Sequence, residues 1–218
     1  LKMRLLVVAD LHGQPVAQRN LMRLLEGGYE GLLLIGDISQ LGPLGMIEEL
    51  LDSLKKLNLP ILSVPGNCDP KNTVEVLEAR GVNLHRKCVK LGDLTFIGLG
   101  GSNVTPFNTP LEFTEAEIAE ELDRLAEEAG KNFILVTHAP PYGTPADLLP
   151  DGTYIGSKSI RAFIERTHPL ANCCGHAHEG RSISNLGTTV IVNPGPLSKG
   201  YAAELTVKER VQAQLIQI

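Results

Sequence analysis

The chain has 218 residues, 43% of them hydrophobic, enough to bury a full core in one domain over residues 1–218. Its formal charge of −5 and pI near 5.7 argue against a partner held by neutralising a phosphate backbone, so no nucleic acid is expected. The longest apolar runs, such as 5–9 and 32–35, are strand-sized and too short to span a bilayer, so no membrane is expected either.

Residues 3–9 (MRLLVVA) form a continuous apolar run, the pattern of a strand buried on both faces. A helix is expected over 15–26, opened by Pro15 in its first turn and closed by Gly27-Gly28. Residues 31–35 predict a second buried strand, 43–57 a helix, and 61–64 a third strand broken by Pro65-Gly66. This alternation predicts parallel βαβ units with right-handed crossovers, their ligand-bearing loops at the carboxyl ends of the strands. Residues 89–91 and 94–99 predict a hairpin about Gly92-Asp93, followed by a loop over 100–110 rich in Gly, Asn, Thr and Pro. The next helix is well marked. Thr114 caps it, Glu117 completes a capping box, Ile118, Leu122 and Leu125 make the buried face, and Gly130 ends it. A strand over 133–136 leads into Thr137-His138, and 140–156 is a loop longer than a connector needs, hence a candidate for substrate contact. A helix over 157–167 turns Ile160, Phe163 and Ile164 inward. Segments 181–185, 188–193, 201–207 and 211–216 read as antiparallel strands forming a second sheet. The expected fold class is α/β: two stacked mixed β-sheets flanked by helices, a four-layer α/β/β/α sandwich. Cys68, Cys88, Cys173 and Cys174 show no paired spacing, and they read as reduced residues of a cytoplasmic protein. No secretory signal is visible, since the N-terminus runs straight into the first strand.

Five stretches gather metal-binding side chains at predicted strand ends: Asp10-Leu11-His12, Gly36-Asp37, Gly66-Asn67-Cys68-Asp69, Thr137-His138 and Gly175-His176-Ala177-His178. The first three are ordinary turn chemistry when taken alone, His138 alone reads as a capped or buried histidine, and His176-Ala177-His178 is the most specific fragment. Asp37 offers two oxygens able to bridge two cations, and Gly36 lets the backbone come close. Asn67 offers a neutral amide oxygen. His176 and His178, alternate residues of an extended segment, should point the same way, with Gly175 and Gly180 permitting unusual backbone angles. His85 and His168 fall outside the motifs and read as surface or structural residues. Oxygen and imidazole ligands converging from five strand ends describe a two-metal hydrolytic site.

The order and placement of these motifs resemble the calcineurin-like metallophosphoesterase family over nearly the whole chain, and Val192-Asn193-Pro194-Gly195 resembles the segment that follows the last ligands in its smaller prokaryotic members. By that resemblance Asp10, His12, Asp37 and His178 would hold one metal, and Asp37, Asn67, His138 and His176 the second, with Asp37 bridging. Many family members carry His where this chain has Cys68, at the position thought to steady the phosphate and protonate the leaving oxygen. A thiol is a weak donor, so Cys68 reads as a substituted site residue that favours leaving groups needing little proton assistance. The Gly-Asn-Cys-Asp form resembles small bacterial and archaeal members that hydrolyse activated phosphodiesters.

The resemblance implies a dinuclear metal-dependent phosphodiesterase of small phosphoesters, in which a water bridging two ions about 3.5–4 Å apart attacks phosphorus in line as hydroxide. Mixed nitrogen and oxygen ligation favours Mn, with Fe, Zn, Co or Ni also compatible. Asn103, Phe107 and Tyr154 are candidate substrate contacts from the two long loops. A phosphomonoesterase or nucleotide pyrophosphatase is the near alternative. A non-catalytic scaffold is the alternative of another class, since a retromer subunit resembles the same fold but has lost ligand histidines that this chain keeps. A homo-oligomer is compatible with the sequence.

Overall fold

The computed structural model describes residues 3–218. In chain order the elements are β1 (Met3–Ala9), α1 (Pro15–Leu25), β2 (Gly31–Ile35), α2 (Leu44–Lys55), β3 (Ile61–Val64) and α3 (Thr73–Ala79). Next come β4 (Lys87–Leu91), β5 (Leu94–Leu99), the two-residue strands β6 (Ser102–Asn103) and β7 (Glu112–Phe113), α4 (Glu115–Ala129) and β8 (Phe133–Thr137). The chain closes with α5 (Lys158–Thr167), β9 (Ala171–Cys173), β10 (Ser182–Leu186), β11 (Thr189–Asn193), β12 (Tyr201–Val207) and β13 (Val211–Gln217).

Two mixed sheets stack face to face, one in the order β13-β12-β1-β2-β3 and the other β10-β11-β9-β8-β5-β4. The continuous apolar runs follow from this stacking, because alternate residues of each inner strand face different layers. In the first sheet Leu5, Val7, Ala9, Leu33 and Ile35 meet Phe96, Ile134, Val136 and Val192 of the second. Leu6, Val8, Leu32 and Leu34 turn the other way, onto Ala17 and Leu21 of α1 and Ile47, Leu51 and Leu54 of α2. On the far side Ile97, Phe133 and Leu135 pack against Ile118, Leu122 and Leu125 of α4 and Ile160, Phe163 and Ile164 of α5. The result is the expected four-layer sandwich.

Local signals place the helices. Pro15 opens α1. Thr114 and Glu117 form the capping box of α4. Ser157 accepts the Ile160 N–H and caps α5, which stops at His168 in the left-handed region.

The closing strands correct one expectation. They do not form a single sheet. β10 and β11 lie at one edge of the second sheet, whereas β12 pairs antiparallel with β1 and carries β13 outward as the edge of the first. Their two-residue periodicity marks a strand but carries no information about its partner, which is settled by burying Ala203, Leu205 and Val207 between the sheets. The short elements α3 and β9 were not foreseen.

His85 is structural. It is buried, its ring stacks 6.1 Å from Phe113, and its Nδ1 accepts the Gly100 N–H at 2.8 Å. Burial, helped by the nearby Arg86, pushes its pKa down to about 4. The unfolded chain therefore binds a proton that the folded chain refuses, and stability is lost as pH falls from about 6.5 toward 4. In metal-free buffer, urea titrations at about pH 7.5 and 4.5 should show wild type losing roughly 2–3 kcal/mol more than His85→Gln across that interval. Equal losses would mean that His85 contributes no such linkage.

Candidate metal centre

The carboxyl ends of β1, β2, β3, β8 and β9 deliver the five motifs to one edge of the sandwich. Backbone bonds extend the strand pairing past the last ladder residues: Asp10 N–H donates to Gly36 O (3.2 Å) and His12 N–H to Asp37 O (2.8 Å). The second sheet is tied in from the other side. His138 N–H donates to Leu99 O, Gly175 N–H donates to His138 O, and the His138 ring meets Ile35 O through Nδ1 at 3.1 Å. That contact needs Gly36, whose φ is +68° and where a Cβ would sit 2.3 Å from His138 Nδ1.

The side chains converge in two groups. Ligand atoms of Asp10, His12 and His178 lie within 4.8 Å of one another, as do those of Asp10, Asp37 and His138. Asp37 lies between the two, with Oδ2 3.8 Å from His12 Nε2 and Oδ1 3.5 Å from His138 Nε2. The Nε2 atoms of His12 and His178 are 3.0 Å apart. Asn67 Oδ1 lies 2.9 Å from His176 Nδ1 and 3.1 Å from His138 Nε2. Asp10 Oδ1 accepts the His176 N–H, while its Oδ2 is buried without a partner.

A cluster of lone pairs aimed at one another, with an orphaned carboxylate oxygen, is the donor set of a divalent cation site, and the residues fit a pair of such ions. The imidazoles respond differently to this setting. Burial pushes His176 down to about 4, so near neutrality it is an uncharged imidazole with one ring nitrogen free to act as a ligand. Burial also lowers His12. For His138 burial acts in the same direction but is outweighed by the Asp37 charge, which lifts it to about 9. Asp37 is held below the ordinary carboxylate range, since His138 and His12 outweigh the effect of its burial.

The route to the His pair differs from the expected one. His176 and His178 do not share the face of an extended segment: His176 has φ +67°, and His178 begins a single 3₁₀ turn. The two rings diverge, one to Asn67 and the other to His12. The left-handed residue is His176 itself and neither flanking glycine. Gly175 serves by its small size, since a Cβ there would lie 2.7 Å from that of Ala9.

Several supporting residues were given no role by the sequence, although Asp69 and Asn193 lie within its motifs. Asp69 is fully buried and accepts the N–H groups of Gly66, Ile38 and Ser39, clamping the loop after β3 to the loop after β2. Asn193 Nδ2 donates to Ala177 O at 2.8 Å and Ala146 O at 3.0 Å, pinning the histidine loop. Asn67 is oriented by a relay: its Nδ2 donates to Thr109 Oγ1 (2.9 Å), which donates to Glu112 Oε1 (2.5 Å). The Thr-x-x-Glu spacing of 109 and 112, that of a capping box, was the available signal.

A family model, Calcineurin-like phosphoesterase, matches residues 3–180. The chain belongs to this family. Its members are metal-dependent phosphoric ester hydrolases that use two metal ions. The chain is 41% identical over 216 residues to the uncharacterized protein MJ1162 of Methanocaldococcus jannaschii, covering 96% of this chain and 94% of that one. Among solved structures, TT1561 of Thermus thermophilus superposes with a TM-score of 0.76 at 19% identity, covering 98% of this chain and 99% of that one. A dimetal phosphatase from Danio rerio superposes with a TM-score of 0.64 at 9% identity, covering 99% and 98%. These two likenesses concern the fold. Among the described residues, no helix is long and apolar enough to cross a membrane.

The relay makes Thr109 a positioning residue for Asn67. Thr109→Val keeps the shape but removes the hydroxyl that fixes the amide, and should weaken Mn(II) binding by roughly 10-fold in a competition titration, whereas Thr109→Ser should not. Wild-type affinity in the valine variant would show that Asn67 needs no such support.

Proposed function

We propose that this calcineurin-like phosphoesterase is a phosphodiesterase of small substrates that works with two divalent cations, of which Mn(II) suits the mixed nitrogen and oxygen donors. The observation that carries the diester reading is the make-up of the cluster's ion pairs, which among the described residues include no Lys or Arg; the leaving-group preference is carried by Cys68. Its backbone N–H donates to Asp37 Oδ1 at 2.9 Å, which sets the residue at the rim of the ligand cluster. Burial and the Asp37 charge push its thiol up to about 12, so it stays a neutral, weak donor across the physiological range. A group of that kind does little to protonate a departing alkoxide, and esters whose leaving oxygen is already a stable anion are favoured.

Held by Asp10, His12, Asp37, Asn67, His138, His176 and His178, a pair of cations would supply Lewis-acid activation of water and neutralise charge on the non-bridging oxygens. The chain's own residues supply geometry. Asp37 sets the spacing of the two halves through its contacts with His12 and His138. Asn67 contributes an oxygen without adding negative charge. The ion-pair contacts of the cluster are formed by Asp10, Asp37 and imidazoles, with no Lys or Arg. A monoanionic diester asks for less added positive charge there than a dianionic monoester. In the hydrolysis, the oxygen of water bonds to phosphorus as its O–H bond breaks and the proton passes to solvent, while the opposite P–O ester bond breaks and the leaving oxygen departs with the bonding pair.

With Mn(II), bis(p-nitrophenyl) phosphate should be turned over with higher kcat/KM than p-nitrophenyl phosphate. Asp37→Asn and His176→Ala should each reduce turnover to background with an unchanged circular dichroism spectrum. Preference for the monoester would reject the diester reading, and activity surviving in both variants would reject the ligand assignment. Cys68→His restores an imidazole donor and should raise turnover of alkyl esters, which leave poorly, more than that of aryl esters. A uniform change would mean that position 68 plays no part in leaving-group departure.

A further inference from the structure

A broad cleft opens beside the ligand cluster. Its volume is about 530 Å³, within the range of small-molecule sites, and its lining includes Val104, Phe107, Tyr142, Tyr154, Lys158 and the metal-centre residue His176. A groove of similar size over α1 and α2 shares no residue with the ligand set.

The chain is poor in aromatic side chains, with five Phe, four Tyr and no Trp, yet three of these nine line this one cleft. Phe107 is 80% exposed and Tyr154 41% exposed, large apolar surfaces left in water beside a reactive centre. The Tyr142 and Tyr154 rings are 5.8 Å apart and inclined at 59°, so neither covers the face of the other. Lys158 Nζ lies 5.3 Å from the Tyr142 ring centroid and places a cation in the cleft wall. Asn103 Nδ2 donates to Ile155 O at 3.2 Å, tying the loop that carries Phe107 to the loop that carries Tyr154. The two walls are therefore held in register.

We propose that this cleft seats the flat heteroaromatic base of a nucleoside phosphodiester, stacked on Phe107 and Tyr154, with its phosphate at the ligand cluster. The phosphate's place rests on the phosphodiesterase reading; the base's place rests on the cleft. Ring faces interleaved with Asn103, Thr105 and Lys158 suit a ligand with a π-face and polar edges. An alkyl chain would leave unused the Lys158 ammonium and Asn103 Oδ1, a buried oxygen with no hydrogen-bond partner. Lys158 supplies the cation of the cleft, and the Glu115 carboxylate in the same lining is turned to Ser157 Oγ and to the backbone N–H groups of Lys158 and Ser159. The acidic balance of the chain limits the ligand to a small nucleotide ester and does not suit a polynucleotide track.

Two esters with one leaving group separate the base from the chemistry: thymidine 5′-(p-nitrophenyl phosphate) and methyl p-nitrophenyl phosphate, each assayed with Mn(II). Wild type should favour the thymidine ester by about 10-fold or more in kcat/KM, the scale of base–aromatic stacking. Phe107→Ala and Tyr154→Ala should each reduce that ratio several-fold, while Tyr154→Phe, which keeps the ring, should preserve it. A ratio near one in wild type, or an undiminished ratio in both alanine variants, overturns the proposal. Saturation-transfer NMR with thymidine 5′-monophosphate gives a readout independent of turnover. If neither ester is hydrolysed, the hydrolase reading fails, and the cleft is judged by this binding alone. Transfer to the thymine protons that is lost in Phe107→Ala supports it, and no transfer in wild type, or equal transfer in the variant, refutes it.

Discussion

The Asp37 carboxylate is buried between imidazoles that arrive from different sheets, and the shape of the surrounding loops depends on keeping it there. Its Oδ1 accepts the Cys68 N–H, tying in the loop after β3, and its backbone carbonyl accepts the His12 N–H, tying in the loop after β1. A carboxylate so enclosed cannot exchange these partners for water, so displacing any one loop leaves a buried charge short of partners. The backbone around it is strained. Asp10, His12, Asp37 and His176 have φ values of 56°, 49°, 46° and 67°, a region that costs a residue with a Cβ roughly 1 kcal/mol or more. These four, of ten non-glycine residues with positive φ among the described residues, are sustained by the continued strand pairing and by the Asp69 and Asn193 clamps. Strain held at buried candidate ligands is consistent with a donor set shaped before any cation binds.

What the sequence disclosed and what it concealed divide along the range of the interactions. β1, β2 and β3 are legible because both faces of each strand are buried, which leaves an unbroken apolar run. α4 is legible because its cap, its buried stripe and its stop lie within one short window. The ligand motifs are legible because a parallel strand must end in a loop on one known side of the sheet. The sheet membership of β12 and β13 is not, since pairing with β1 is set some 200 residues away in the chain. α3 is hidden by its length of seven residues and by Asn72, which provides no side-chain cap. The conformation of His176 is hidden for a related reason. A left-handed histidine is imposed by the Asp10 contact and the close packing at Gly175, neither of which is local.

The supporting residues are less visible than the ligands because their chemistry is ordinary in isolation. Asp69, Thr109 and Asn193 are residues ordinary in turns, and only the structure shows each bonding across a gap between loops, while Glu112 holds Thr109 within its own loop. Glu112 accepts from Thr105 and Thr109 through both backbone and side chain; burial opposes its ionisation, but these bonds prevail and hold it down to about 2. It therefore stays a carboxylate throughout the neutral range and keeps the Thr109 hydroxyl directed toward itself. That leaves the hydroxyl oxygen free to receive the Asn67 amide N–H, which turns the amide oxygen toward His138 and His176.

The same relay joins the metal centre to the cleft. Phe107 N–H donates to Thr105 Oγ1, Thr105 and Thr109 both bond to Glu112, and Thr109 holds Asn67. β6 and β7 brace this loop at its base, and Leu111 N–H donates to Asn67 O. On the proposed reading, a ligand group resting on Phe107 would press on a loop whose other end positions the candidate ligand Asn67. Binding energy gained away from the phosphorus can be expressed there as orientation, through a chain of bonds with little slack. This coupling matters most where position 68 offers a thiol in place of an imidazole. On the proposed reading, little help is available for the departing oxygen, rate would come from holding the phosphate in line, and the loop that bears the exposed ring is the one bonded to Asn67.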